Sequence, residues 1–194
     1  SPTTDHPHLH PHHALQVGGM SEALADLARV SGNATFLQLA AMFERPCFLG
    51  PLARGDGAGA VEKVHANTHL PQLLGAMARY EATGDQDLRT AAESFWSELS
   101  NEHMFVTGGS TTGEVWLKAG SLGDAVVHQH KDNYWAHDQA ETCVAHNSMR
   151  VSKRLMQWTP WTAWQDGGVG GDKERGGVQG PGQKHARSAL RHAE

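Results

Sequence analysis

The chain is poor in cysteine: two in 194 residues, Cys47 and Cys143. That is too few for a disulfide framework, and one bridge between them is the most that oxidation could make. No apolar run approaches the roughly 18 residues of a membrane span, which excludes a transmembrane helix. Lys and Arg are not in excess. The formal net charge is −5 with no basic patch, which argues against nucleic acid or an anionic membrane surface as partner. No stretch alternates apolar and polar residues as half-buried strands do. The first residue is Ser and no signal-peptide pattern follows, so the chain reads as a processed product, a fragment or an incomplete gene reading.

What is present is helical patterning between two biased ends. Residues 1–13, SPTTDHPHLHPHH, alternate Pro and His; the prolines forbid a helix, and a disordered tail is expected, with loose metal binding as the alternative. Residues 160–194 hold eight glycines between 167 and 182. Such a segment buries too little apolar surface to offset its ordering entropy, so a second disordered tail is expected, with a short helix at 184–193 as an option.

Between them, MSEALADLARVSGN places Leu24, Leu27 and Val30 on an expected inner face and ends at Gly32. ATFLQLAAMFERP places Phe36, Leu39, Ala40 and Phe43 on another and closes at Pro46, followed by an expected Gly-rich loop over 50–63. The pattern recurs. LPQLLGAMARYEATGD carries Leu70, Leu73, Leu74 and Met77 and ends at Gly84; QDLRTAAESFWSEL carries Leu88, Ala91, Ala92, Phe95 and Leu99. A shift of 52 residues lays Gly32 on Gly84, Phe36 on Leu88, Ala40 on Ala92 and Phe43 on Phe95. This is a weak repeat of a helix–Gly–helix hairpin, and hairpins with one apolar stripe each should stack side by side. A last helix is expected over about 141–158, with Val144, Val151, Leu155 and Trp158 on one side.

The residues able to carry chemistry lie at helix starts and loops, off the apolar stripes. In HANTH (65–69), Asn67 or Thr68 suits an N-cap, and His65, His69 or both could hydrogen-bond a polyhydroxylated ligand. VTGGSTTGE (106–114) sets Glu114 on a small-residue loop; without a Lys-Ser/Thr ending it is not a phosphate loop. In HDQAETCVAHNSM (137–149), Glu141 and Cys143 reach one metal ion only if the segment is extended or forms the first turn of a helix, whereas Cys143 and His146 share a helical face. Thiolate with carboxylate or imidazole suits Zn²⁺; an inert buried Cys is the competing reading.

Taken in order, GGMSEALADL, HANTHLP, YEATGD, FW, VTGGSTTGE and AETC…N…RVSKRLMQWT resemble the β-L-arabinofuranosidase family, glycoside hydrolase family 127 and its relatives, most closely its plant and green-algal branch. The likeness covers residues 17–159. It implies a partial (α/α)₆ barrel over 14–159 and a carbohydrate substrate. It implies Glu114 as general acid/base, His65 in the sugar pocket, and Glu141 and Cys143 as two ligands of a zinc ion. Glu22 of GGMSE matches a motif glutamate without an assigned role. The family's retaining mechanism uses a zinc-bound cysteine thiolate from a downstream Cys-Cys pair, and this sequence has no Cys after Cys143. Ser21 and His146 also depart from the motifs, and the Glu114–Glu141 interval is long.

The expectation is therefore a β-L-arabinofuranosidase-like hydrolase chain, incomplete or inactive in isolation and marginal in stability. The alternatives are a non-catalytic helical module binding a carbohydrate or protein, and a small zinc protein using Glu141, Cys143, His146 and His137.

Overall fold

The structure, a computed structural model, describes residues 18–122 and 141–158. Both expected tails, the first residues of the 14–159 region and His137 lie outside the described residues. Among the described residues seven helices follow in order: α1 (Met20–Ser31), α2 (Thr35–Met42), α3 (Pro46–Ala53), α4 (Gly57–Val61), α5 (Ala66–Thr83), α6 (Gln86–Glu102) and α7 (Thr142–Trp158). Among the described residues there are isolated β-bridges but no strand, so the all-α class holds.

The centre is α5, with α1, α6 and α7 packed around it. Its expected stripe is the core: Leu70, Leu73, Leu74 and Met77 are each fully buried. Full burial of such side chains contributes about 1.5–3 kcal/mol each. The stripe of α6 is equally faithful, with Leu88, Ala91, Ala92, Phe95 and Leu99 all buried. Asp85 caps α6 by accepting from the Asp87 N–H at 3.1 Å. Gly32 and Gly84 both end their helices in the left-handed region, at φ +70° and +75°. On α7 the buried residues are Val144, Ser148, Val151 and Leu155; Trp158 instead stacks edge-on against Tyr80 and donates to Glu81.

Two expectations are corrected. On α1 the buried face is Ser21, Glu22, Ala25 and Ala28, while Leu27 and Val30 are exposed. The reason is close packing. A Cβ on Gly75 of α5 would lie 2.6 Å from the Ser21 Cβ, so only small side chains fit at that crossing. The second correction concerns 46–61, which is largely helical. Pro46 starts α3 at its first turn, where a missing N–H costs nothing, and Phe48, Leu49 and Leu52 are buried. Asp56 then caps the short α4, accepting from the Gly59 N–H.

Candidate functional site

The loop that carries Glu114 is laid against the entry to α5. The Lys63 N–H donates to the Trp116 carbonyl at 2.8 Å, the Trp116 N–H to Val64 at 3.2 Å and the Ala66 N–H to Glu114 at 2.9 Å. Trp116 anchors this pairing: it is fully buried, sits edge-on to Phe95 at 5.4 Å and donates its indole N–H to Ser110 Oγ at 3.1 Å. A flexible small-residue sequence is thus held rigidly at its far end.

Glu114 has φ +68°, next to Gly113 at +56°. Left-handed backbone at a residue with a side chain costs on the order of 1–3 kcal/mol and persists only where the surroundings enforce it. Here it aims the carboxylate at His65, whose Nε2 lies 3.2 Å from Glu114 Oε2. His65 is the N-cap residue of α5, so neither Asn67 nor Thr68 caps the helix; both fall in its first turn. Thr68 Oγ lies 2.9 Å from His65 Nδ1. With Glu114 ionised, Nε2–H donates to it and the Thr68 hydroxyl donates to Nδ1; with Glu114 protonated, its O–H donates to Nε2 and Nδ1–H donates to Thr68. The pair is open to a ligand, with 28% of the His65 side chain and 43% of the Glu114 side chain exposed.

His69 plays a different part. It is buried, edge-on to Phe48, and its Nδ1–H donates to the His65 carbonyl at 2.7 Å. Burial pushes its pKa below the usual imidazole value, so it is a neutral support under His65. Thr111 and Thr112 hydroxyls on the Glu114 loop are buried with no hydrogen-bond partner among the described residues.

The ETC stretch arrives from α7. Glu141 immediately precedes the helix and Cys143 lies in its first turn, so the first-turn arrangement is the one adopted. The thiol is exposed and reaches Glu141 Oε2 at 3.9 Å. Partial burial and the Glu141 carboxylate push its pKa up, and Glu114 adds to that. Two pairs are set by contact: His65 with Glu114, and Cys143 with Glu141. His146 is exposed. Cys47, the other thiol, is free and exposed in the first turn of α3.

The family model for the β-L-arabinofuranosidase GH127 catalytic domain matches residues 4–167. The chain belongs to this family. No curated protein matches it significantly. Family membership places the chain among glycoside hydrolases, and a carbohydrate substrate follows from that class.

Zinc chemistry requires three or four ligands. With Zn–S about 2.3 Å and Zn–O about 2.0–2.2 Å, two ligand atoms on a tetrahedral ion stand about 3.5 Å apart. The 3.9 Å between Cys143 Sγ and Glu141 Oε2 suits two such corners. Among the described residues no group of three or more His, Cys, Asp or Glu could hold a metal. The donors present fit half a site and not a complete one, and no chemical step can be drawn through the ion.

Several partners were not visible in the sequence. Asn147 Nδ2 donates to Asn67 Oδ1 at 2.7 Å, linking α7 to α5 beside the site. Arg150 joins Asn147 to Glu22. A sequence pattern shows only that these residues are polar; their pairing across 80 and 128 positions depends on the packing of three helices.

Proposed function

We propose that the chain carries the acid/base and sugar-binding part of a β-L-arabinofuranosidase-type site, within a partial (α/α)₆ barrel, for the non-reducing ends of plant-type arabinose-containing glycans. The observation that carries this reading is the His65–Glu114 pair in a chain of this family. The choice of glycan follows only from the resemblance of the motifs to the family's plant and green-algal branch.

Glu114 would give its proton to the leaving glycosidic oxygen and take one back from water. His65 would hold a sugar hydroxyl and keep the Glu114 carboxylate oriented, its ring fixed by Thr68. Glu141 and Cys143 would hold zinc, which when bound keeps a thiol deprotonated near neutral pH. The nucleophile expected of the family belongs to a Cys-Cys pair that this sequence does not contain. The chain by itself is therefore expected to bind arabinofuranosides without turning them over. The second reading is a non-catalytic helical module that binds a carbohydrate or a protein.

The test is calorimetric titration with arabinose oligosaccharides beside a turnover assay on a chromogenic β-L-arabinofuranoside. Binding at millimolar sugar or tighter, weakened in His65→Ala and Glu114→Gln, is the expected result. No heat at millimolar sugar would sink the binding claim. Turnover abolished by a chelator would show that the chain is catalytically complete, and loss of that turnover in Glu114→Gln would decide against the module reading.

A further inference from the structure

Glu22 is the most heavily paired carboxylate among the described residues, and nothing in the acid/base chemistry uses it. It is 8% exposed. Arg150 Nη2 donates to both of its oxygens at 2.7 Å, and Arg154 Nη2 donates to Oε1 at 2.9 Å. Arg154 also pairs with Glu81 of α5. One buried carboxylate on α1 thus gathers two guanidinium groups of α7, and a buried charge in this position is tolerated only because its partners are complete.

The chain of contacts continues toward the site. Arg150 Nη1 donates to Asn147 Oδ1 at 3.3 Å, and Asn147 Nδ2 donates to Asn67 Oδ1 at 2.7 Å. The amide orientation follows from chemistry. A guanidinium has donors only, so Asn147 must turn its oxygen to Arg150 and its NH₂ to Asn67. Asn147 lies four residues after Cys143, on the same face of α7. Asn67 lies two residues after His65, in the first turn of α5. The amide bridge therefore ties the helix face bearing Cys143 to the segment bearing His65, whose partner is Glu114.

We propose that Glu22 is a positioning residue. Through Arg150, Asn147 and Asn67 it fixes the rotation of α7 about its axis, and with it the place of Cys143 relative to Glu114 and His65. This rests on the reading of the His65–Glu114 pair as the sugar site. The relay is continuous in donors and acceptors, and each link dictates the next.

The test reads Cys143 directly, with no sugar present. In the full chain with Cys47→Ser, the iodoacetamide alkylation rate of Cys143 is followed at one pH, well below the melting temperature. If the bridge holds α7 in its rotation, cutting it should change the alkylation rate at least threefold in Asn67→Ala and in Asn147→Ala. The double variant should match the singles and not multiply them, because both break the same bridge. Glu22→Gln should move the rate in the same direction, and Glu22→Asp should recover part of it. If Glu22→Gln does not fold, Glu22→Asp and the asparagine cycle carry the test. Unchanged rates in folded variants, or effects that multiply as those of general loosening would, overturn the proposal. The same variants should weaken arabinose-oligosaccharide binding. If the parent chain binds no sugar while the alkylation cycle behaves as stated, the functional reading fails and the relay stands.

Discussion

The two helix–Gly–helix hairpins of this protein share a turn and differ in almost everything else. α5/α6 and α1/α2 both pivot on a left-handed glycine, Gly84 and Gly32. In α5/α6 the matched positions Leu88, Ala92 and Phe95 are buried. In α1/α2 only Ala40 of the corresponding set is buried, Leu39 is 40% exposed, and Met42 stands 79% exposed. The same local pattern therefore makes a core in one place and an edge in the other. Local sequence decides where a hairpin turns. What it packs against decides how much the hairpin contributes.

The sharpest way to break the comparison is to cut one apolar side chain from each hairpin. Leu73→Ala on α5 removes a fully buried side chain and should cost about 2–5 kcal/mol, the usual range for a buried Leu truncation. Leu39→Ala on α2 should cost within about 1 kcal/mol, since its side chain is already partly in water. Urea denaturation of both variants measures the difference. Equal losses would mean that the outer face of α2 is covered in solution.

How much could be read in advance follows the same division. The stripes of α5 and α6 were legible because large side chains at i, i+3, i+4 and i+7 leave no other economical arrangement. α1 misled because its burial runs through small residues: Ser21, Ala25 and Ala28 approach α5 where Gly75 has no Cβ, and hydrophobicity ranks Leu27 and Val30 above them. Residues 46–61 misled because their glycines and prolines read as loop signals, although Pro46 sits where proline starts a helix. At the site, Glu114, His65, Glu141 and Cys143 came from motif resemblance. His65 meets Glu114 because Trp116 buries beneath the loop, and Glu141 and Cys143 arrive on α7, which lies against α5; neither packing is a property of any short window of sequence. The backbone strain at Glu114 was likewise invisible, since no residue type announces it.

The α1–α5 crossing gives the next effect in size. In Gly75→Ala the new Cβ would meet Ser21 Cβ at 2.6 Å, Ser21 Oγ at 2.7 Å and the Glu22 N at 3.2 Å. Ser21 Cβ and the Glu22 N cannot move aside without moving α1. Overpacking of this kind costs about 1–3 kcal/mol, against the roughly 1 kcal/mol that Ala gains over Gly inside a helix. A net loss is expected, with part recovered by Ser21→Gly in the same chain. A stabilised Gly75→Ala would show that the first hairpin stands further from the core than its contacts indicate.

The smallest effect isolates the turn that the two hairpins share. A Cβ on Gly32 or Gly84 would meet nothing within 4 Å, so Gly32→Ala and Gly84→Ala change backbone strain and not packing. A side chain in the left-handed region costs about 1–2 kcal/mol, reduced by the entropy that Ala removes from the unfolded chain. Both substitutions should therefore destabilise by a similar amount, about 1 kcal/mol. The equality is the informative outcome, because the flanking helices differ so widely in burial. A Gly32→Ala cost far below that of Gly84→Ala, measured by the same denaturation, would mean that the first hairpin opens within the folded state and escapes the strain. In that case α1 would hold to the core chiefly through Glu22 and its two arginines on α7, and the asymmetry between the hairpins would be one of dynamics as well as of burial.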